Sequence, residues 1–114
     1  IARIGEFVPE CGARLRAAWP GVGIVNFGHV ADSNLHVSVQ VRDGVFSKDD
    51  ADRILYGCVA EWRGSVSAEH GIGLLKRDYL GYSRSPSEIK LLRDLKRMLD
   101  PNGILNPGKI FVMA

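Results

Sequence analysis

Residues 35–41 constrain this chain more than any other segment. Leu35, Val37, Val39 and Val41 alternate with His36, Ser38 and Gln40, the period of a strand with one buried face. Just before them, Ala31-Asp32-Ser33-Asn34 has the composition of a turn, and residues 22–29 read as another strand. Together they predict an antiparallel hairpin. With the turn centred between Asp32 and Ser33, His29 and His36 fall opposite each other. Facing Cβ atoms lie about 4.5–5.5 Å apart, so both imidazoles reach one ion.

Helical patterns flank the hairpin. Residues 4–18 read as a helix with Cys11, Leu15 and Ala18 on one face, ended by Trp19-Pro20-Gly21. Pro9 suits a first turn better than a helix interior, which puts the start near Val8. Arg42-Asp43-Gly44 breaks the second strand, and Ser47 then caps a helix with Asp49 and Asp50 in its first turn. Its apolar stripe is Ala51, Ile54, Leu55, Cys58, Val59 and Trp62, and Gly64 ends it. Ser65-Val66-Ser67 reads as a short strand. Ser85-Pro86-Ser87-Glu88 is a capping box opening a third helix, with Ile89, Leu92, Leu95 and Leu99 as its buried stripe. Asp100-Pro101-Asn102-Gly103 stops that helix, and the apolar tail 104–111 is expected to pack against something.

With 114 residues the chain has room for one core, and a composition of 46% hydrophobic and 25% charged residues is that of a globular domain. The formal charge is only +2 and the basic residues are dispersed, which fits solvated helix faces and argues against a nucleic-acid partner. No run of about 18 apolar residues predicts a membrane span. Cys11 and Cys58 fall on helical stripes and read as buried reduced thiols, hence a reducing compartment.

The three histidines sit in two polar motifs. Gly28-His29-Val30-Ala31-Asp32-Ser33-Asn34-Leu35-His36 holds two, and Ser67-Ala68-Glu69-His70-Gly71-Ile72-Gly73 adds a carboxylate and the third. His29, His36 and Glu69 are candidate metal ligands, since two imidazoles and a carboxylate suit Zn²⁺, Mn²⁺ or Fe²⁺ and leave positions open for substrate. The same spacing also serves structural histidines. His70, beside a candidate ligand, suits a base taking a proton from a metal-bound hydroxyl; it also suits a third ligand or a residue orienting Glu69. Asp32 and Asn34 are turn formers, and Gly71 and Gly73 suit a close backbone approach or a tight turn. Lys76 and Arg77 are positioned to hold an anion or to face solvent.

These motifs resemble the C-terminal domain of the FAD-linked oxidases, the family of D-lactate dehydrogenase, the glycolate oxidase FAD-binding subunit and D-2-hydroxyglutarate dehydrogenase. The run from Gly28 to His36 is similar to a G-H-x-G-D-G-N-x-H signature. Ser67 to Gly73 matches S-x-E-H-G-I-G, a basic pair follows as Lys76-Arg77, and Asp100 to Lys109 matches D-P-x-x-I-L-N-P-G-K. The resemblance covers about residues 22–111 in the family's order. It implies that His29, His36 and Glu69 hold a divalent metal, Zn or Mn, that carries a D-2-hydroxy acid. His70 then removes the hydroxyl proton as hydride passes to FAD. It implies that Asn34 orients the substrate or the flavin edge, and that Asn106 and Lys109 approach the flavin through the tail. Two signature glycines are replaced, by Ala31 and Ser33; a Cβ where positive φ is needed costs about 1 kcal/mol.

The expected fold is α+β: an antiparallel sheet with helices packed on one face, the C-terminal part of a ferredoxin-like substrate or cap domain spanning 1–114. The FAD-binding domain that such enzymes carry has no counterpart in these residues, so the chain alone is expected to be inactive. The expected parent function is FAD-dependent oxidation of a D-2-hydroxy acid of the lactate, glycolate or 2-hydroxyglutarate type, passing electrons to an unnamed acceptor. The expected location is the cytoplasm, or the mitochondrial matrix in a eukaryote. Two other readings compete: a non-catalytic binding or homodimerisation module that has lost its metal, and a zinc hydrolase using Glu69. The absence of a helical H-E-x-x-H argues against the hydrolase.

Overall fold

The computed structural model describes residues 3–42 and 44–113; Asp43, expected in the break after the second strand, lies outside them. The chain runs α1 (Ile4–Ala18), β1 (Gly23–Phe27), a 3-10 turn (Val30–Asp32), β2 (His36–Gln40), α2 (Lys48–Glu61), a second 3-10 turn (Arg77–Tyr82) and α3 (Pro86–Leu99). The α+β class is as expected, with a two-stranded antiparallel sheet among the described residues. Leu15 of α1, Val22 and Ala51 of α2 make the buried core, and Ile24, Val39, Val41, Ile54 and Leu55 pack against it. Ile24 and Val39 are direct cross-strand partners, so α1 and α2 cover one face of the hairpin. Cys11 and Cys58 are free and buried between these helices. Burial raises the Cys11 thiol above its ordinary range, and its hydrogen bond with Cys58 adds to the rise.

Four expectations need correction. α1 begins at Ile4, not near Val8, and carries Pro9 inside it. Phe7 and Arg3 hold that first turn from outside: Phe7 meets Trp62 edge-on at 5.9 Å, and the Arg3 guanidinium lies 4.1 Å over the same ring. Such contacts offset the backbone bond that proline forfeits.

Ser65-Val66-Ser67 is not a strand. The Ser65 hydroxyl donates to the Ser67 carbonyl at 2.9 Å, and the Val66 N–H donates to Ser83 Oγ at 2.8 Å. Serine side chains thus take backbone groups that a ladder needs.

The stripe of α3 is not buried: Leu92, Leu95 and Leu99 are 37%, 40% and 75% exposed, and no residue of the helix is fully covered. Local bonds carry the helix instead. Ser85 and Glu88 form the expected reciprocal cap, and Lys90 and Arg97 pair with Asp94 at 2.6 and 3.2 Å.

The tail packs only in part, since Phe111 is buried while Ile104 and Leu105 are exposed. Asp100 terminates α3 by accepting the N–H groups of Ile104 and Leu105 at 3.1 and 3.0 Å.

Candidate active site

The hairpin is joined by an eight-residue loop, 28–35, rather than a two-residue turn, and this moves its register. Phe27, not His29, faces His36. The two rings stack at 5.0 Å with planes 14° apart. His29 instead precedes the 3-10 turn, where its carbonyl accepts the N–H groups of Asp32 at 2.9 Å and Asn34 at 3.1 Å. The expected facing pair of imidazoles is therefore absent, because a 3-10 turn consumes residues that a tight hairpin would have placed in the ladder.

Two backbone positions shape this loop. Gly28 has φ +141°, and a Cβ there would stand 2.6 Å from the Asn34 carbonyl oxygen. Ser33 adopts the left-handed conformation at φ 59°. Of the two replaced signature glycines, Ser33 carries the strain; Ala31 lies inside the 3-10 turn.

The loop turns Asn34 inward, where it is 7% exposed. Its Nδ2 donates to Glu69 Oε2 at 2.8 Å, and the same oxygen lies 3.3 Å from His36 Nε2. Asn34 therefore joins the two motifs, which are 35 residues apart in sequence. Its hydrogen bond holds the Glu69 carboxyl below the ordinary carboxylate range; partial burial opposes this, and the charges of His70, His36 and His29 act with it in that order. All three histidines thus lie within electrostatic reach of one carboxylate. His70 follows Glu69 on an exposed turn, where its carbonyl accepts the Ser67 hydroxyl.

His36, Asn34, Glu69 and His70 line a cavity of about 580 Å³, together with Lys76 and an apolar wall that includes Tyr56 of α2 and Trp62 just after it. That volume suits a small organic ligand. His29 does not line it, nor do Asn106 and Lys109. Asn106 and Lys109 sit exposed on one turn of the tail, with the Lys109 N–H donating to the Asn106 carbonyl at 3.3 Å. The Ile110 N–H donates to the Gly73 carbonyl at 2.8 Å, tying that turn to the glutamate–histidine loop. Among the described residues, no group of three or more His, Cys, Asp or Glu is gathered as a metal cluster. His36 and Glu69 are in contact while His29 stands apart. An imidazole nitrogen beside an ionised carboxylate nevertheless suits a divalent cation chemically.

Sequence reasoning missed Phe27. Its only signal was its place two residues before His29, which becomes the position opposite His36 once the loop is lengthened. Among the described residues no helix is long and apolar enough to cross a membrane.

The profile of the FAD linked oxidases, C-terminal domain, matches residues 1–110. The chain is 42% identical to D-2-hydroxyglutarate dehydrogenase of Stutzerimonas stutzeri (strain A1501) over 118 aligned positions, covering 97% of this chain and 25% of that protein. It is 48% identical over 89 positions to the mitochondrial D-2-hydroxyglutarate dehydrogenase of Rattus norvegicus, covering 75% of this chain and 16% of the rat protein. It is 45% identical over 111 positions to the D-2-hydroxyglutarate–pyruvate transhydrogenase of Saccharomyces cerevisiae, covering 95% and 22% respectively. The chain therefore spans about a quarter, or less, of the length of these relatives. With the two motifs meeting at Asn34 and Glu69, and a profile matching nearly end to end, the chain belongs to the family of FAD linked oxidases through their C-terminal domain.

Proposed function

We propose that this chain is the substrate- and metal-binding segment of an FAD-dependent dehydrogenase acting on a D-2-hydroxy acid of the 2-hydroxyglutarate or lactate type. One observation carries the reading: Asn34, His36, Glu69 and His70 meet on the wall of a cavity with ample room for such an acid. His36 and Glu69 would hold the cation, Zn²⁺ or Mn²⁺, and His29 is the third ligand that the motif offers. When bound, the cation supplies Lewis acidity and the flavin supplies a hydride acceptor. Asn34 keeps Glu69 ionised and aimed, so in this chain it acts through the carboxylate. A ring nitrogen of His70 accepts the hydroxyl proton; imidazole is basic enough for this near neutral pH. Asn106 and Lys109 approach the flavin on the turn tied to Gly73. FAD itself is held by a further domain, so residues 1–114 alone are inactive. The location that fits is the cytoplasm in a bacterium and the mitochondrial matrix in a eukaryote.

The test is Mn²⁺ binding to the chain, followed by electron paramagnetic resonance, in wild type and His36→Ala. One ion per chain, lost in the variant, supports the reading. Equal binding by both proteins, or none by wild type, refutes the metal assignment. The second result would favour a non-catalytic module that docks or self-associates through its exposed apolar surface, of which the α3 stripe is the observed example.

A further inference from the structure

The sequence offers Lys76 and Arg77 as an undivided basic pair, and the structure separates them. Arg77 is committed to the fold: its Nη1 donates to the Gly108 carbonyl at 3.1 Å, and its Nε lies 3.4 Å from Asp78 Oδ1. Lys76 points into the cavity wall instead. Its ammonium donates to the Val66 carbonyl at 2.9 Å and to Ser67 Oγ at 3.2 Å. Both acceptors are neutral, and an ammonium has three donors, so one N–H and the whole charge remain unmatched. The two carboxylates of the same wall are engaged elsewhere: Glu69 by Asn34 and His36, Asp52 by Lys48. Arg3, the other cation of the wall, lies over Trp62 and faces Glu6 at 3.8 Å. Among the described residues Lys76 forms no ion pair.

We infer that Lys76 is the anchor for a carboxylate of the ligand, and that its bonds to Val66 and Ser67 fix where that carboxylate sits. This rests on the hydroxy-acid reading given above and names the residue that recognises the acid. Ser67 supplies the link to the chemistry. Its hydroxyl accepts from Lys76 and donates to the His70 carbonyl, so the ammonium and the base are fixed to one short loop. In a 2-hydroxy acid the carboxylate carbon is bonded directly to the hydroxyl-bearing carbon. Seating the carboxylate on Lys76 thus brings the hydroxyl into the neighbourhood of Glu69 and His70. The part-buried setting strengthens the contact relative to one in open water.

The test is a chemical-shift titration of the ¹⁵N-labelled chain with D-lactate, propionate and methyl D-lactate, in wild type, Lys76→Met and Lys76→Arg, at two salt concentrations. Wild type should bind D-lactate better than propionate. Lys76→Met should weaken D-lactate about tenfold or more and abolish the salt dependence, with Lys76→Arg keeping most of the affinity. Methyl D-lactate, which lacks the charge, should respond equally in wild type and Lys76→Met; a collapsed loop would lose both ligands. If Lys76→Met binds D-lactate as wild type does, the anchor is overturned and the hydroxy-acid reading stands. If propionate binds as well as D-lactate and both are lost in Lys76→Met, the anchor stands and the hydroxy-acid reading falls. If wild type binds neither acid, both are overturned.

Discussion

Gly28→Ala tests whether the hairpin loop sets the geometry of the site. The new Cβ would lie 2.6 Å from the Asn34 carbonyl oxygen, and the residue would keep φ +141°. Relief to ordinary contact requires the carbonyl to retreat to about 3.4 Å, at the residue whose side chain holds Glu69. Holding a side-chain-bearing residue in that conformation costs about 1–3 kcal/mol. The backbone clash adds about 1–3 kcal/mol. The total of about 2–6 kcal/mol is a large part of the stability of a domain this size. Gly103→Ala is the control, since Gly103 has φ +62° with nothing within 4 Å of its Cβ position; it should cost about 1–2 kcal/mol. Urea unfolding measures both, and the Asn34 side-chain amide resonance reports whether its bond to Glu69 survives. Equal losses in the two variants, with the Asn34 resonance unmoved, would refute the claim that the close approach at Gly28 positions the site.

Ser33→Gly relieves the left-handed residue of the same loop and should raise stability by about 0.5–1 kcal/mol, read as a higher thermal midpoint. Leu15→Ala, at a side chain with no exposure, should cost about 2–5 kcal/mol, whereas Leu99→Ala, 75% exposed, should change the urea midpoint little. The Glu69 carboxyl titrates below its ordinary 4.5 in the folded chain. Its contribution is therefore complete above the unfolded value and is lost as pH falls through the folded one. Asn34→Ala removes the largest cause of the depression, so the variant should be less stable than wild type near pH 6 and lose less on acidification, the two urea midpoints converging as pH falls toward about 3.

Where the sequence was legible, the signal was local. The alternation of residues 35–41 marked β2, the capping box marked the start of α3, and Ser47 capped α2, because each rests on groups a few residues apart. The site motifs were legible as compositions, and Glu69 and His36 do meet. What failed was anything set by a distance the sequence does not encode. The facing of His29 and His36 depended on the loop conformation, which Gly28 and Ser33 decide through backbone angles. Burial of the α3 stripe depended on a partner surface, and amphipathicity shows only that a helix has an apolar side, not what covers it. Pro9 was misread because its penalty is local while the contacts of Arg3 and Phe7 with Trp62 span more than fifty residues.

The exposed stripe of α3 also bears on how the chain unfolds. A helix with no buried residue shares little free energy with the unit built on Leu15, Val22 and Ala51. Its amides should exchange with solvent through openings that leave the hairpin, α1 and α2 intact. Far-ultraviolet ellipticity should therefore decline ahead of tryptophan fluorescence on heating, because Trp19 and Trp62 both report on the other unit. A single midpoint would average two processes, and cooperativity, rather than strength, is what covering that stripe would confer.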